Sequence, residues 1–562
     1  MSKRSVYSIG DKKTYIAVIA TLIAYISYAV SLFTWCRGYY TYEEMFGPLS
    51  KHVVIAISII LFLMASFLSL YFFSCKRDNV GRSSILPIIV LALAITNIRL
   101  LPDIVDSYYD QNFYDAGGHM IRGAFVTLTG HSNPNVDAYF DLQPAFFWFT
   151  SMFVNIAYGT PSTPNDPIFG FFIKWFQVVA IIVFIPILFG FLRKYSLNYG
   201  ETVLALFLFF ILSFTRFHYA AQTYADALFW LSIALFLDIA MYRDAKKAFM
   251  LMLVFTATIF VHEGVTIFMI TALISVIIAL FLSKHMKKSL PTYIMLSTYF
   301  FIAWFLYLLY ISNFTLSNFV SAFISVIKRF LFEGVTGVVS QGTYRAWKPW
   351  GEIVMFKAIY MGLLIFTGII LTVWMYRATK SKVYLVRTFI ILGVSIVIGA
   401  VAAGLGGAGY IERVPELLLP LFSLAFVEAL KQPNNYRYYN LLKKTLFILM
   451  IFFIVMAPFV YFSGRNFQSV PTSEDKAGEF LITHTQSIAG LYPEIRTASA
   501  FTPLLTNSTL TSSTIYGLYR HDFIQTLYYN IGDIVALNNY IHKFESVCNI
   551  SYSNPTTQLL HC

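Results

Sequence analysis

The stretch Leu101–Pro144, L-P-D-I-V-D-S-Y-Y-D-Q-N-F-Y-D-A-G-G-H-M-I-R-G-A-F-V-T-L-T-G-H-S-N-P-N-V-D-A-Y-F-D-L-Q-P, lies between two very apolar runs. It holds six carboxylates, Asp103, Asp106, Asp110, Asp115, Asp137 and Asp141, with His119, His131 and Arg122 among them. An ionised side chain in hydrocarbon costs about 2.5–3.5 kcal/mol on insertion scales, so the stretch belongs in water or at a membrane face. Its middle has a helical period. Asp115, His119 and Arg122, at steps of four and three, share one face. Ile121, Ala124, Phe125 and Leu128 share the opposite face. Such a helix is expected to lie flat on the bilayer, apolar side down, with its acid, imidazole and guanidinium turned to solvent. Gly130 is its expected stop. The same pattern also reads as a solvated linker with a staple helix.

Composition sets the surroundings of this loop. The chain has 562 residues, of which 58% are hydrophobic and only 12% charged. Soluble proteins carry about 25% charged residues, so an all-α polytopic membrane protein is expected. The formal charge of +12 does not point to nucleic acid, because Lys and Arg sit in short segments between apolar runs, as the positive-inside rule requires. Four cysteines and no C-x-x-C spacing give no zinc motif. Cys548 and Cys562 read either as a disulfide of an external tail or as two free thiols. The first apolar run, Thr14–Trp35, is long enough to anchor and lacks a small-residue cleavage site, so it reads as a retained span.

The basic segments orient the chain. Lys3, Arg4, Lys12 and Lys13 place the N-terminus in the cytoplasm, and Lys76, Arg77 and Arg82 mark the next inner loop. The Asp-rich loop is then outside. Pro144–Gly159 is apolar but short, and reads as a re-entrant or interfacial helix. Continued to the end, the alternation predicts roughly 13 transmembrane helices, an external C-terminus and a small external α/β domain. The expected divisions are two N-terminal helices in 1–83, a core in 84–462 with its outer loop at 102–167, and a tail in 463–562. The N-x-[ST] sequons at Asn313, Asn507 and Asn549 all fall on segments assigned outside.

The middles of the spans read as nearly free of charge. Arg99, Lys174, Asp238, Lys357, Arg387 and Glu428 fall nearer span ends, where long side chains snorkel. Ionisable groups collect in the outer turns instead: the Asp loop, His218 with Asp226, His262 with Glu263, Arg345 with Lys348, and Glu412 with Arg413. A site at the outer boundary suits transfer from a lipid phosphate. A carboxylate, Asp115 beside His119, takes a proton from an acceptor hydroxyl. Arg413, Arg345 or Lys348 holds the phosphate of the leaving lipid. His262, Glu263, Asp226 and Asp141 are further candidates for substrate or metal. No spacing demands a metal, though Asp115, His119 and Glu263 could hold a divalent cation. Each group also has a plainer reading. Asp115 and Asp226 cap helices, His119 is an interfacial histidine, His262-Glu263 is a tight turn between two spans, and Arg413 is a snorkelling anchor.

The order of features resembles the GT-C glycosyltransferases that use polyprenyl-phosphate sugars, among them the protein mannosyltransferases and the aminoarabinose transferase. D-A-G-G-H-M-I-R-G-A-F-V-T-L-T-G, followed by D-A-Y-F-D-L-Q-P-A-F-F-W-F, is similar to that family's outer loop: an acid, a small helix ending in Gly, then a Pro-led apolar helix. Y-A-D-A-L-F-W-L-S-I-A-L-F-L is similar to the family's span after its short outer turn. The resemblance implies a sugar transferase, and one base with one displacement makes the expected reaction inverting. Its donor is a polyprenyl-phosphate sugar, its acceptor a lipid, glycan or protein, and its catalytic base an Asp of the loop. Two features depart from the pattern. The loop follows the third span rather than the first, and Pro144 is single, with no Asp-Glu pair upstream. Asp115, Asp106 and Asp110 therefore remain alternatives for the base, with Asp115 best placed relative to Gly130 and Pro144. No W-W-D-Y-G-like motif occurs, which disfavours an oligosaccharyltransferase. The rival expectations are a flippase or transporter of lipid-linked glycans, and a non-enzymatic membrane scaffold.

Overall fold

The computed structural model describes residues 8–35, 53–74, 85–100, 114–132, 140, 143–161, 167–194, 197–213, 219–242, 244–282, 290–312, five positions between 317 and 328, 359–371, 413–431, 437–462, 515–519, 549–553 and 557–561. The N-terminal elements are α1 (Ser8–Trp35), α2 (Val53–Ser74) and α3 (Ile85–Ile95), which runs on into a π turn, Thr96–Leu100. The Asp-rich region contributes α4 (Tyr114–Thr129) and α5 (Pro144–Ala157). Then come α6 (Pro167–Lys194), α7 (Tyr199–Leu212), α8 (Ala221–Tyr242), α9 (Ala245–Val261), α10 (Glu263–Leu282) and α11 (Leu290–Tyr310). Further helices among the described residues are α12 (Ile359–Leu371), α13 (Arg413–Lys431) and α14 (Arg437–Phe462).

Among the described residues, four helices are long and apolar enough to cross a membrane. They are the helical segments Ile57–Ser74, Ile168–Lys194, Leu290–Tyr310 and Asn440–Pro458. Their outward faces carry large apolar side chains such as Ile182, Phe301, Phe305 and Ile448, as lipid-facing helices do.

The bundle is assembled around α7. Every side chain from Glu201 to Leu212 is buried, and the helix packs against α2, α3, α6, α13 and α14. A helix that is apolar on all sides has no face to offer water, so it takes the centre. Its start is set by a capping box. Asn198 Oδ1 accepts from the Glu201 N–H at 2.8 Å, and Glu201 Oε2 accepts from the Asn198 N–H at 2.7 Å. Gly200 lets α2 come in beside this cap: a Cβ there would lie 2.9 Å from the Phe73 carbonyl oxygen. A second group, α8 to α11, packs on α6 through α8.

Two ends of the bundle are defined by side-chain bonds. At one end lie the starts of α6, α12 and α13, the ends of α3 and α7, and the α4–α5 unit. At the other lie the ends of α2, α6 and α8 and the starts of α7, α9 and α11. There Asp238 of α8 meets Lys194 of α6 at 2.5 Å and Lys247 of α9 at 2.8 Å. Asp244 caps α9 by accepting from the Lys246 N–H at 3.0 Å.

The C-terminal segment supplies three five-residue strands, β1 (Ile515–Tyr519), β2 (Asn549–Ser553) and β3 (Thr557–His561). They form an antiparallel sheet in the order β1-β3-β2, with Ile515 opposite His561 and an irregularity between Ile550 and Tyr552.

Candidate functional site

Helix α4 forms where the helical period placed it, and it stops at Gly130, whose φ of 72° is the left-handed conformation that glycine adopts without a Cβ penalty. Its orientation corrects the sequence expectation. His119 is not turned to solvent: it is 4% exposed, its ring edge-on to Phe146 at 5.6 Å and tilted over Phe147 at 6.1 Å. Nor is burial confined to one apolar face of α4. Met120, Gly123, Ala124, Val126 and Thr127 are all buried, and the helix packs on α5 and α6. The physical reason is that α5 offers a full aromatic face, and an imidazole packed on phenyl rings removes more apolar surface from water than one left outside.

Helix α5 begins with Pro144 in its first turn, where a missing N–H costs nothing. At 14 residues it is about 21 Å long, short of the ~30 Å hydrocarbon thickness. Phe146, Phe147, Thr150 and Val154 face inward, while Trp148, Phe149, Met152, Phe153 and Ile156 are exposed. The inward face meets Tyr219, in the connection from α7 to α8. Thr150 Oγ1 and the Tyr219 hydroxyl are 2.5 Å apart, and the Phe146 and Tyr219 rings are 4.8 Å apart. Burial pushes the Tyr219 phenol above its ordinary range, against the opposing pull of the Thr150 hydrogen bond, so it stays a neutral hydroxyl. Gly123 of α4 closes the unit: a Cβ there would lie 3.0 Å from both the Thr150 methyl and the Tyr219 hydroxyl. Phe172 and Phe176 of α6 complete the aromatic surround of Tyr219.

Beside this unit lies a charge cluster that contradicts the picture of snorkelling charges. Arg99, in the π turn, is 0% exposed. Its Nε donates to the Phe210 carbonyl at 3.0 Å, and its Nη2 donates to the carbonyls of Phe210 and Ser213. The Tyr360 hydroxyl donates to the Leu212 carbonyl at 3.2 Å. Helix α7 has only 14 residues, about 21 Å, so its C-terminus ends inside the protein rather than in water. The last carbonyls of a helix need donors from outside it, and a guanidinium supplies them together with a charge that suits the negative end of the dipole. Glu416, in the first turn of α13, accepts from Ser213 Oγ at 2.8 Å, and Gln177 of α6 donates to the Arg99 carbonyl at 2.5 Å. The signal for Arg99 was present in the sequence: an arginine inside the apolar run I-T-N-I-R-L-L. Tyr219, Thr150 and Tyr360 carried no such signal.

The other candidates separate. His262 is buried between α9 and α10, and its Nδ1 accepts from the N–H groups of Gly264 at 3.1 Å and Val265 at 3.4 Å. It caps α10, whose first residue is Glu263, and this is the tight turn of the plainer reading. Asp226 does not cap the following span, because α8 starts at Ala221 and places Asp226 within its second turn, half-buried. Arg413 opens α13. Asp115 lies in the first turn of α4, four residues before His119. The side chains of Asp115 and Arg413, and the whole of Asp141, Arg345, Lys348 and His218, lie outside the described residues, as does the expected helix from Ser473. Among the described residues, no three His, Cys, Asp or Glu side chains are grouped to hold a metal ion. Compared with known proteins, the chain matches no family model, and no curated protein matches it.

Proposed function

We propose that the chain is an integral membrane glycosyltransferase that moves a sugar from a polyprenyl-phosphate donor to a lipid, glycan or protein acceptor at the outer membrane face. The observation that carries this reading is the α4–α5 unit. A helix ending in a left-handed glycine and a short Pro-led apolar helix pack together at one end of the bundle, directly after the Asp-rich segment. The exposed aromatic side of α5 suits a lipid carrier, and the Asp-rich segment that precedes α4 suits an acceptor in water. In this reading Asp115 takes the proton from the acceptor hydroxyl as the sugar leaves the donor phosphate. His119, one turn later, anchors α4 on Phe146 and Phe147 and so positions Asp115. Arg413, Arg345 or Lys348 neutralises the departing phosphate. The topology that goes with it has roughly 13 spans, a cytoplasmic N-terminus and an external C-terminal domain that contains the β-sheet.

The decisive experiment is Asp115→Asn. Asp115 lies inside the first turn of α4 rather than at its N-cap, and Asn keeps the size and shape of the side chain, so the change removes the basic carboxylate and little else. Transfer by the purified protein from a polyprenyl-phosphate sugar should fall about 10²–10⁴-fold, the usual contribution of a general base, while expression stays normal. Loss with Asp106→Asn or Asp110→Asn instead would move the base upstream. If no Asp between Leu101 and Pro144 matters, the glycosyltransferase reading fails.

The buried Arg99 and Glu416 favour one second reading, the flippase or transporter, because ionisable groups inside a membrane bundle commonly mark a substrate path. Release of a lipid carrier on turnover separates the two: a transferase liberates it and a flippase does not.

A further inference from the structure

At the end of the bundle away from α4 and α5, the helices α6, α8 and α9 bring their charges together. The Lys194 and Lys247 ammoniums both meet one atom, Asp238 Oδ2, at 2.5 and 2.8 Å. One carboxylate balances one of these two charges. The other acid of this group, Asp244, caps α9 by accepting from the N–H groups of Lys246 and Lys247, and its Oδ2 lies 4.0 Å from Lys247 Nζ. Two more cations stand beside them. Arg193 donates to the Leu197 carbonyl at 2.7 Å, a bond that neutralises no charge. Lys246 is exposed, with no acid against its ammonium among the described residues. In sequence, the connections 195–198 and 243–244 add Arg243 and no acid beyond Asp244. Positive charge is therefore in excess where these three helices end and begin.

Apolar surface continues directly from this charge. On α9, Lys246, Phe249, Met250 and Leu253 lie on one helical face, at steps of three, one and three, and all four are exposed. From Lys246 to Leu253 the helix rises about 10.5 Å, so the apolar part of the face reaches well beyond the ammonium. On α6, Pro186, Gly190 and Lys194 are exposed at steps of four, and a Cβ on Gly190 would meet nothing within 4 Å. A basic cluster that opens onto exposed apolar helix faces matches the two halves of a phospholipid. Basic groups at helix ends hold anionic headgroups, and the apolar faces beside them hold the chains. A free phosphate would use the ammoniums and leave Phe249, Met250 and Leu253 without a role.

We propose that Lys194, Lys246 and Lys247 hold the phosphate of a phospholipid with a net negative headgroup, whose acyl chains lie along the exposed face of α9. Each ammonium donates a charge-assisted hydrogen bond to a phosphate oxygen. Asp238 keeps Lys194 and Lys247 together on one oxygen, and it also limits how strongly they attract an anion. The proposal rests on the bundle lying in a membrane and not on the transfer reaction, because lipid binding is measured without turnover.

The test is native mass spectrometry of the full-length protein released from bilayers of equal phosphatidylcholine and phosphatidylglycerol, with the thermal midpoint of each variant checking its fold. The parent should retain phosphatidylglycerol in preference to phosphatidylcholine. Lys246→Met and Lys247→Met should each lower that preference about five-fold, the usual weight of one basic side chain at an anionic membrane surface. Should Lys247→Met fail to fold, the exposed Lys246 still decides the matter. Asp238→Asn keeps the shape of the side chain and removes its charge, so it should raise the preference, a gain that a merely structural ion pair would not give. Lys444→Met, an exposed lysine near the start of α14, should change nothing. Equal retention of the two lipids would overturn the proposal, as would a preference that survives in the Lys246 and Lys247 variants. An equal loss in Lys444→Met would also overturn it, because general surface charge would then be the cause. So would release of the lipid by millimolar inorganic phosphate, which would mark a site for a free anion.

Discussion

The two ends of the bundle manage buried charge in opposite ways. At the end that carries α4 and α5, a single guanidinium is sealed from solvent, and its hydrogen bonds to protein backbone close the C-terminus of α7. At the other end, two lysines share one buried carboxylate, Asp238, and keep 31% and 32% of their side-chain surface exposed. The lysine end has a spare: if one ammonium leaves, the other still meets Asp238, and water reaches the remainder. At the Arg99 end one guanidinium serves both the Phe210 and the Ser213 carbonyls, and the Tyr360 hydroxyl serves the neighbouring Leu212 carbonyl. A short central helix that ends inside a bundle takes its last donors from buried side chains, and that end is therefore intolerant of change. It is also the end where the proposed chemistry sits.

The largest expected effect follows from this contrast. Arg99→Met leaves the Phe210 and Ser213 carbonyls buried without their donor, at about 1–3 kcal/mol each, so a loss of about 2–6 kcal/mol is expected in chemical unfolding of the purified protein. A loss below about 1 kcal/mol would mean that water reaches the end of α7, and the contrast would collapse. Next in size are two glycine substitutions, one at each end. Gly200→Ala drives a methyl into the Phe73 and Ser74 backbone, which cannot rotate away, and should cost about 1–3 kcal/mol. Gly123→Ala meets only the Thr150 and Tyr219 side chains, so it should cost less in stability. It should nevertheless lower transfer activity, because it separates α4 from α5. Stability and turnover measured on the same pair of variants will show whether the two ends divide these roles. The smallest effect is expected for Lys194→Met. A third of that side chain is exposed and Lys247 remains on Asp238, so the loss should stay under about 1 kcal/mol and shrink further in high salt. The Arg99→Met deficit should be indifferent to salt, because ions do not reach a sealed guanidinium.

Periodicity and punctuation alone determined a good deal. The apolar runs mark helices, Gly130 and Pro144 mark where α4 stops and α5 starts, and the shortness of Pro144–Gly159 separates α5 from a full span. These are local matters: a left-handed residue needs glycine, a first-turn proline loses no hydrogen bond, and helix length follows from residue count. What only the tertiary structure decided is which way each helix turns and how deep each end lies. By period, His119 shares a face with Asp115 and Arg122 and reads as solvent-facing, yet the aromatic face of α5 draws it inward. Arg99 is close enough to a span end to read as a snorkelling charge, yet α7 stops short and its carbonyls hold the guanidinium inside. Both outcomes depend on a partner far away in the chain, Phe146 in one case and Phe210 in the other, and no local pattern records which distant surface a side chain will meet.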